Sequence, residues 1–148
     1  MKAEKIDRVH IAVKDLDKAT KFFSKMLGTT FSRTPVVNED VKVRVAFSPI
    51  GLEIVESSSP DSAFAKFIET RGEGMFSLCF KVPDLEEAIE KCQSMGMRLV
   101  ARPGGGELKE AQFHPKDCFG VSIVLCEYED THGAEVARFR QPGAAKAE

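Results

Sequence analysis

The chain reads as an α+β protein made of two βαβββ modules within one domain, and three observations carry that expectation. First, it repeats itself. "RVHIAVKDLDKA" from Arg8 lies over "SLCFKVPDLEEA" from Ser77, pairing Val13 with Val82, Asp15 with Asp84, Leu16 with Leu85 and Ala19 with Ala88. Second, each copy runs from mostly apolar, β-favouring residues through an aspartate into apolar spacing of helical period. Third, each helical pattern is followed by short strand-like runs separated by turn residues.

In chain order, the first strand leads to Asp15, and Leu16, Ala19, Phe22, Phe23 and Met26 then mark one helix face. Asp15 suits an N-cap, because its short carboxylate can accept amide protons of the first turn, and Gly28 suits the stop. A weaker strand is expected near Thr30 to Arg33, then strands Val41 to Phe47 and Leu52 to Glu56 about the turn Pro49 to Gly51. "SPDSAFAKFIETRGEG", Ser59 to Gly74, reads as a Pro-led helix ending in a glycine-rich link, the boundary between modules. The second module repeats the plan. Asp84 caps a helix through Leu85, Ala88, Ile89 and Cys92, with Glu87 placed for a capping box and Gly96 as its stop. A weak strand near Arg98 to Ala101 and strands Ala111 to His114 and Val121 to Cys126 complete it. The domain is read as 1–130, with modules at about 5–70 and 73–128; the Ala-, Gly- and charge-rich tail 131–148 reads as flexible.

With 148 residues, 43% of them apolar, there is enough to bury a core. A net charge of −2 with interspersed signs offers no field for nucleic acid or anionic lipid, and no apolar run approaches a membrane span. Cys79, Cys92, Cys118 and Cys126 match no CxxC or knuckle spacing, and no signal-peptide apolar core opens the chain. Reduced thiols and a cytoplasmic location are therefore expected.

The phrases "IDRVHIAVKDLDKATKFF", "SPDSAFAKFIETRGEG" and "FHPKDCFGVSIVLCE", covering roughly Lys5 to Glu127, resemble the vicinal oxygen chelate superfamily of glyoxalases, bleomycin-resistance proteins and extradiol dioxygenases. The closer likeness is to methylmalonyl-CoA epimerases. The resemblance implies modules whose sheets form a curved, barrel-like mixed sheet around one pocket, often in a homodimer. It also implies a divalent metal stabilising the enolate formed beside a thioester. Carried over position by position, however, the metal ligands fall on Arg8, Glu53, Ser77 and Val124, with Phe76 before Ser77. Only Glu53 remains a donor of the right kind, so no cofactor is expected, a divalent metal being the lesser alternative.

Strand alternation puts Arg8 and His10 on one face, together with Glu53, Val55, Ser77, Cys79, Lys81, Ser122, Val124 and Cys126. Three readings follow. Arg8 can replace the metal as oxyanion stabiliser, with His10 and Glu53 as acid-base groups in an epimerase or isomerase acting on an acyl thioester or small carbonyl compound. Arg8 and Glu53 can instead form a salt bridge filling a site that only binds or sequesters a small molecule. Or His10, Glu53 and Cys79 can rebuild a metal site. Ser77, Cys79, Lys81 and Val124 are candidate substrate contacts, and Lys116, in a loop matching the epimerase phrase, is a candidate for a CoA phosphate. Phe22, Phe23, Phe64 and Phe67 are read as core or dimer packing.

Overall fold

A computed structural model describes residues 1–32, 36–39, 41–104 and 107–129. Among the described residues, eight strands form one sheet in the order β2-β3-β4-β1-β5-β8-β7-β6. The first module holds β1 (Lys5–Val13), α1 (Leu16–Leu27), β2 (Val36–Asn38), β3 (Val43–Phe47) and β4 (Leu52–Ser57). Helix α2 (Ala63–Arg71) leads to the second module, which holds β5 (Gly74–Lys81), α3 (Leu85–Ser94), β6 (Leu99–Ala101), β7 (Lys109–Phe113) and β8 (Ser122–Glu127). Counted outward from the centre, each module runs first strand, fourth, third, second, so the repeat in sequence is a repeat in space. The first strands join the halves: β1 pairs antiparallel with β5 and parallel with β4, while β5 pairs parallel with β8. The sheet curls into a half-barrel.

The helices begin and end where short-range chemistry directs. Asp15 accepts from Lys18 N and Asp84 from Glu87 N, satisfying first-turn donors, and Gly28 takes the left-handed conformation (φ 65°) that closes α1. Helix α1 covers the convex face through Val13, Leu16, Ala46 and Ile54, and α3 does the same through Val82, Leu85, Ala88 and Phe113. Each such buried Val, Leu, Ile or Phe side chain contributes about 1.5–3 kcal/mol. Helix α2 lies instead over the inner face of the first module, where Phe64 packs with Ala12, Val45, Phe47 and Val55. Phe67 joins that cluster and Phe23 packs beside α1's buried residues, but Phe22 is exposed on α1.

Several boundaries differ from the expectation. Thr30 to Ser32 is irregular, and the second strand lies further on at Val36–Asn38; Ser32 touches the end of β3 through its own N–H to Phe47 O and through its hydroxyl, which accepts from Phe47 N. Strand β3 starts at Val43, because Lys42 occupies a left-handed turn position (φ 56°). Helix α2 is capped by Ser62, so Pro60 belongs to the preceding turn. Strand β7 begins two residues earlier than read, at Lys109, where it pairs with Glu127. Residues 131–148 lie outside the described residues.

Candidate functional site

The inner face is organised in rows that cross the sheet through the strand register. One row runs Phe47, Glu53, His10, Ser77, Ser122 over β3, β4, β1, β5 and β8. The next runs Arg8, Cys79, Val124, Gln112 over β1, β5, β8 and β7. Directly paired residues have Cβ atoms only about 5 Å apart, so each row is a line of touching side chains. The 69-residue repeat relates Arg8 to Ser77 and His10 to Cys79, and the two central pairs, Arg8 with Cys79 and His10 with Ser77, are images of one another.

Arg8 sits at the centre, 3% exposed. Its Nη1 donates to Glu53 Oε1 at 2.8 Å, its Nη2 to Glu110 Oε1 at 2.5 Å and to Cys79 Sγ at 3.0 Å, and its Nε to Asp7 Oδ2 at 2.8 Å. Glu53 is a bridge. Its second oxygen lies 2.9 Å from His10 Nε2, while His10 Nδ1 lies 2.5 Å from Ser77 Oγ. Beyond Ser77 in the row, Ser122 Oγ accepts from Gln112 Nε2 at 3.0 Å. Arg8, His10, Glu53, Ser77, Glu110 and Gln112 are all buried.

The electrostatics follow from this crowding. Burial works against a charged Arg8, but Cys79, Glu110 and Glu53 around it outweigh that and raise its pKa well above the ordinary value. Burial pushes the Cys79 thiol up, as does its hydrogen bond with Cys126, while Arg8 opposes them. Tyr128 donates its hydroxyl to Asp7 Oδ1 at 2.5 Å. Burial first, and then this bond, drives the phenol far above its usual value.

Of the residues singled out from sequence, Arg8, His10, Glu53, Ser77 and Cys79 meet in this cluster. Val124 is buried beside Cys79 and Cys126 without a polar role. Lys81 turns away: its Nζ pairs with Glu4 Oε2 at 2.6 Å and lies 4.8 Å over the Tyr128 ring. Lys116 is exposed in a short 3-10 turn, Pro115–Asp117, that follows β7. Asp7, Glu110, Gln112 and Tyr128 were missed. Glu110 lies two residues before Gln112 and so shares its face, but the strand expected at Ala111 to His114 excludes it. Asp7 should face away from Arg8; a register irregularity between Ile6 and Arg8 lets it join instead.

A divalent metal does not fit the inherited positions. Arg8 brings a cation and Val124 no ligand atom, and Ser77 is committed to His10. His10, Glu53 and Cys79 do not rebuild a site either: Cys79 faces Arg8, while His10 and Glu53 bond to each other. Among the described residues, the group of metal-ligating types whose atoms lie within 4.8 Å of one another is Asp7, Cys79 and Cys126. Arg8 donates to two of those three, so a guanidinium occupies the space a cation would need.

Near this face, a cleft of about 290 Å³ opens between α2's first turn with Val41 and Lys42 on one side and Val100, Ala101 and Gln112 on the other. No helix among the described residues is long and apolar enough to cross a membrane.

A duplicated βαβββ sheet with one polar centre where the first strands meet defines a class, and residues 7–113 match the glyoxalase/bleomycin resistance protein/dioxygenase superfamily. The chain belongs to that superfamily. Within it, the chain is methylmalonyl-CoA-epimerase-like. It is 30% identical to the human mitochondrial methylmalonyl-CoA epimerase over 128 residues, covering 82% of this chain and 72% of that protein. It is 31% identical over 129 residues to the uncharacterized Bacillus subtilis protein YqjC, covering 83% and 91%. The crystal structure of the Mycobacterium tuberculosis epimerase superposes with a TM-score of 0.77 at 31% identity, covering 86% of this chain and 90% of that one. A Streptomyces coelicolor epimerase in complex with 2-nitronate-propionyl-CoA gives the same TM-score at 28% identity, covering 87% and 100%.

Proposed function

We propose that the inner face takes an acyl thioester or related carbonyl compound and moves the proton on the carbon next to that carbonyl without a metal. His10 and Glu53 exchange the proton, and Arg8 lends fixed positive charge to the developing enolate oxygen. One observation carries this reading: a single carboxylate, Glu53, bridges Arg8 and His10, so the proton carrier and the charge stabiliser are held side by side. Ser77, Cys79 and Val124 form the neighbouring wall, and the exposed Lys116 is assigned to an anionic part of the ligand. Two further features belong to the proposal: a dimer, supported by the exposed Phe22, Met26 and Leu27 on α1, and a cytoplasmic setting, supported by four free cysteines.

The test is deuterium uptake at the α-carbon of methylmalonyl-CoA in heavy water. The expected rate is of enzymatic size, about 1 to 10³ s⁻¹, and unchanged by chelator. His10→Gln should lower it by about 10²- to 10⁴-fold. Exchange abolished by chelator, or none at all, removes the proposal. A second reading, binding without turnover, is favoured by one observation: Arg8 already meets three carboxyl groups and a thiol, so an oxyanion must displace one of them. Tight, stoichiometric thioester binding without exchange would support it.

A further inference from the structure

Ser77 is hydrogen-bonded to the His10–Glu53 pair, a contact that the proton-transfer reading does not use, and the geometry points to Ser77 as a nucleophile that takes an acyl group from a thioester. The inference rests on the proposed function for the entry of a thioester onto the inner face and shares His10 and Glu53 with it; the step it adds is bond formation at Ser77. A nucleophile hydrogen-bonded to a base, with the base oriented by a third group, is the arrangement nucleophilic catalysis requires. Here Ser77 Oγ lies 2.5 Å from His10 Nδ1, and His10 Nε2 lies 2.9 Å from Glu53 Oε2.

The roles follow from donor chemistry. A carboxylate only accepts, so the imidazole proton belongs on Nε2, facing Glu53. Nδ1 is then the acceptor, and the Ser77 hydroxyl donates to it. Arg8 donates to the other Glu53 oxygen and fixes the carboxylate in place. The strand register holds all three members, because Glu53, His10 and Ser77 are direct partners on adjacent strands rather than loop residues. The approach is polar as well. Ser122 is Ser77's partner on β8 and accepts from Gln112, a residue that lines the 290 Å³ cleft. Ser77 is 1% exposed, so the proposal requires that a thioester entering beside Gln112 displace the Gln112–Ser122 bond to reach it.

In the first step, Ser77 Oγ bonds to the thioester carbonyl carbon and its proton passes to His10 Nδ1. The C–S bond then breaks, the thiol leaves with that proton, and an ester remains on Ser77. Water attacks the ester carbon, giving a proton to His10. The C–O bond breaks as Ser77 Oγ recovers that proton. Thioester and water become carboxylic acid and thiol, with no oxidant or reductant involved.

The experiment incubates the full chain with p-nitrophenyl acetate, with acetyl-CoA and with a fluorophosphonate probe, and locates adducts by peptide mass mapping. An acetyl or phosphonyl group on Ser77 is expected in the wild type, which requires no variant to fold. Ser77→Ala should abolish it, and His10→Gln should slow its formation by about 10²-fold or more, each variant first matched to the wild type by circular dichroism. Absence of any Ser77 adduct with all three reagents, adducts only elsewhere, or unchanged labelling in folded His10→Gln overturns the assignment. Deuterium exchange in the same wild-type preparation separates the two ideas: labelling without exchange leaves only this one standing, and exchange without labelling leaves only the other.

Discussion

Replacing Arg8 with methionine removes the guanidinium about which three buried carboxyl groups gather, and the cost can be worked from the contacts. With charge centres about 4 Å apart and an effective dielectric near 20, each attraction is about 4 kcal/mol, or about 12 kcal/mol gross for three. Desolvation of the ions takes back several kcal/mol apiece, so the net value of the cluster is far smaller than its sum. Removing one partner is a different matter, because it strands the others. A broken buried pair costs about 3–5 kcal/mol, and Arg8→Met, which strands Asp7, Glu53 and Glu110 together, belongs at the upper end. Glu53→Gln and Glu110→Gln each keep an acceptor oxygen and relieve repulsion between carboxyl groups, so each should cost about 1–3 kcal/mol. The double variant Arg8→Met/Glu53→Gln should show a coupling of about 0.5–3 kcal/mol yet recover only part of the loss, since Asp7 and Glu110 stay stranded. Urea unfolding at constant slope measures all four. If Arg8→Met lies within about 1 kcal/mol of the wild type, the buried network does not carry the energy argued for it. Full recovery in the double variant would mean that Glu53 alone is Arg8's partner.

Further outcomes follow from single contacts. Tyr128 is the one tyrosine of the chain, so alkaline absorbance titration reads it alone; phenolate should not form near the ordinary value of about 10 while the chain is folded. Because the folded pKa is raised, the associated stability is complete below about pH 10 and is lost as pH rises above it; a midpoint near 10 in native protein would contradict the buried bond to Asp7. Gly51→Ala should destabilise by about 1–3 kcal/mol, since Gly51 has φ 86° and an added Cβ would lie 2.8 Å from Asp7 O; it should also disturb labelling and exchange, because Gly51 O accepts from Val9 N beside Arg8. Elemental analysis of protein purified without chelator should find far less than one divalent metal per chain, and one equivalent lost on Cys126→Ser would show that Arg8 yields its place to a cation.

The modular plan was legible because a repeat expresses itself twice: the two aspartate caps, the helix stripes and the order of strands could each be checked against a copy. The inner face was legible too, since alternation alone brings Arg8, His10, Glu53, Ser77 and Cys79 together. What stayed hidden depends on the register of one strand against another. The partnership of His10 with Ser77 rather than Cys79, its image in the repeat, is set by the antiparallel join of β1 and β5. Asp7 enters through an irregularity in that join, and Glu110 through a strand whose start is decided by Lys109 pairing with Glu127. Lys81 shows the opposite error: its parity was right, but a long side chain at the end of β5 reached Glu4 instead.

Arg8 can be understood as the coordinated cation rather than as a substituted ligand. Glu53 keeps its donor role, Glu110 and Asp7 add oxygens, and Cys79 a sulfur, so the guanidinium is surrounded much as an ion would be. Ligand exchange then has a different rule. A metal can give up a weakly held water to a neutral carbonyl, whereas Arg8 must give up a charge-assisted bond, which is about twice as strong as a neutral one. Only a ligand that brings its own carboxylate or oxyanion restores that bond, and the displaced carboxyl must then take up a proton to avoid an uncompensated buried charge. A thioester with a free carboxylate should therefore raise the unfolding temperature where its neutral analogue does not, and its binding should be accompanied by proton uptake, visible as a dependence of the calorimetric heat on buffer ionisation. In Arg8→Lys, which keeps the charge but loses the planar fork, the preference for the anion should weaken without vanishing. Equal binding of the neutral analogue, with no proton taken up, would mean that ligands bypass Arg8 and that the network is sealed scaffolding beneath the cleft.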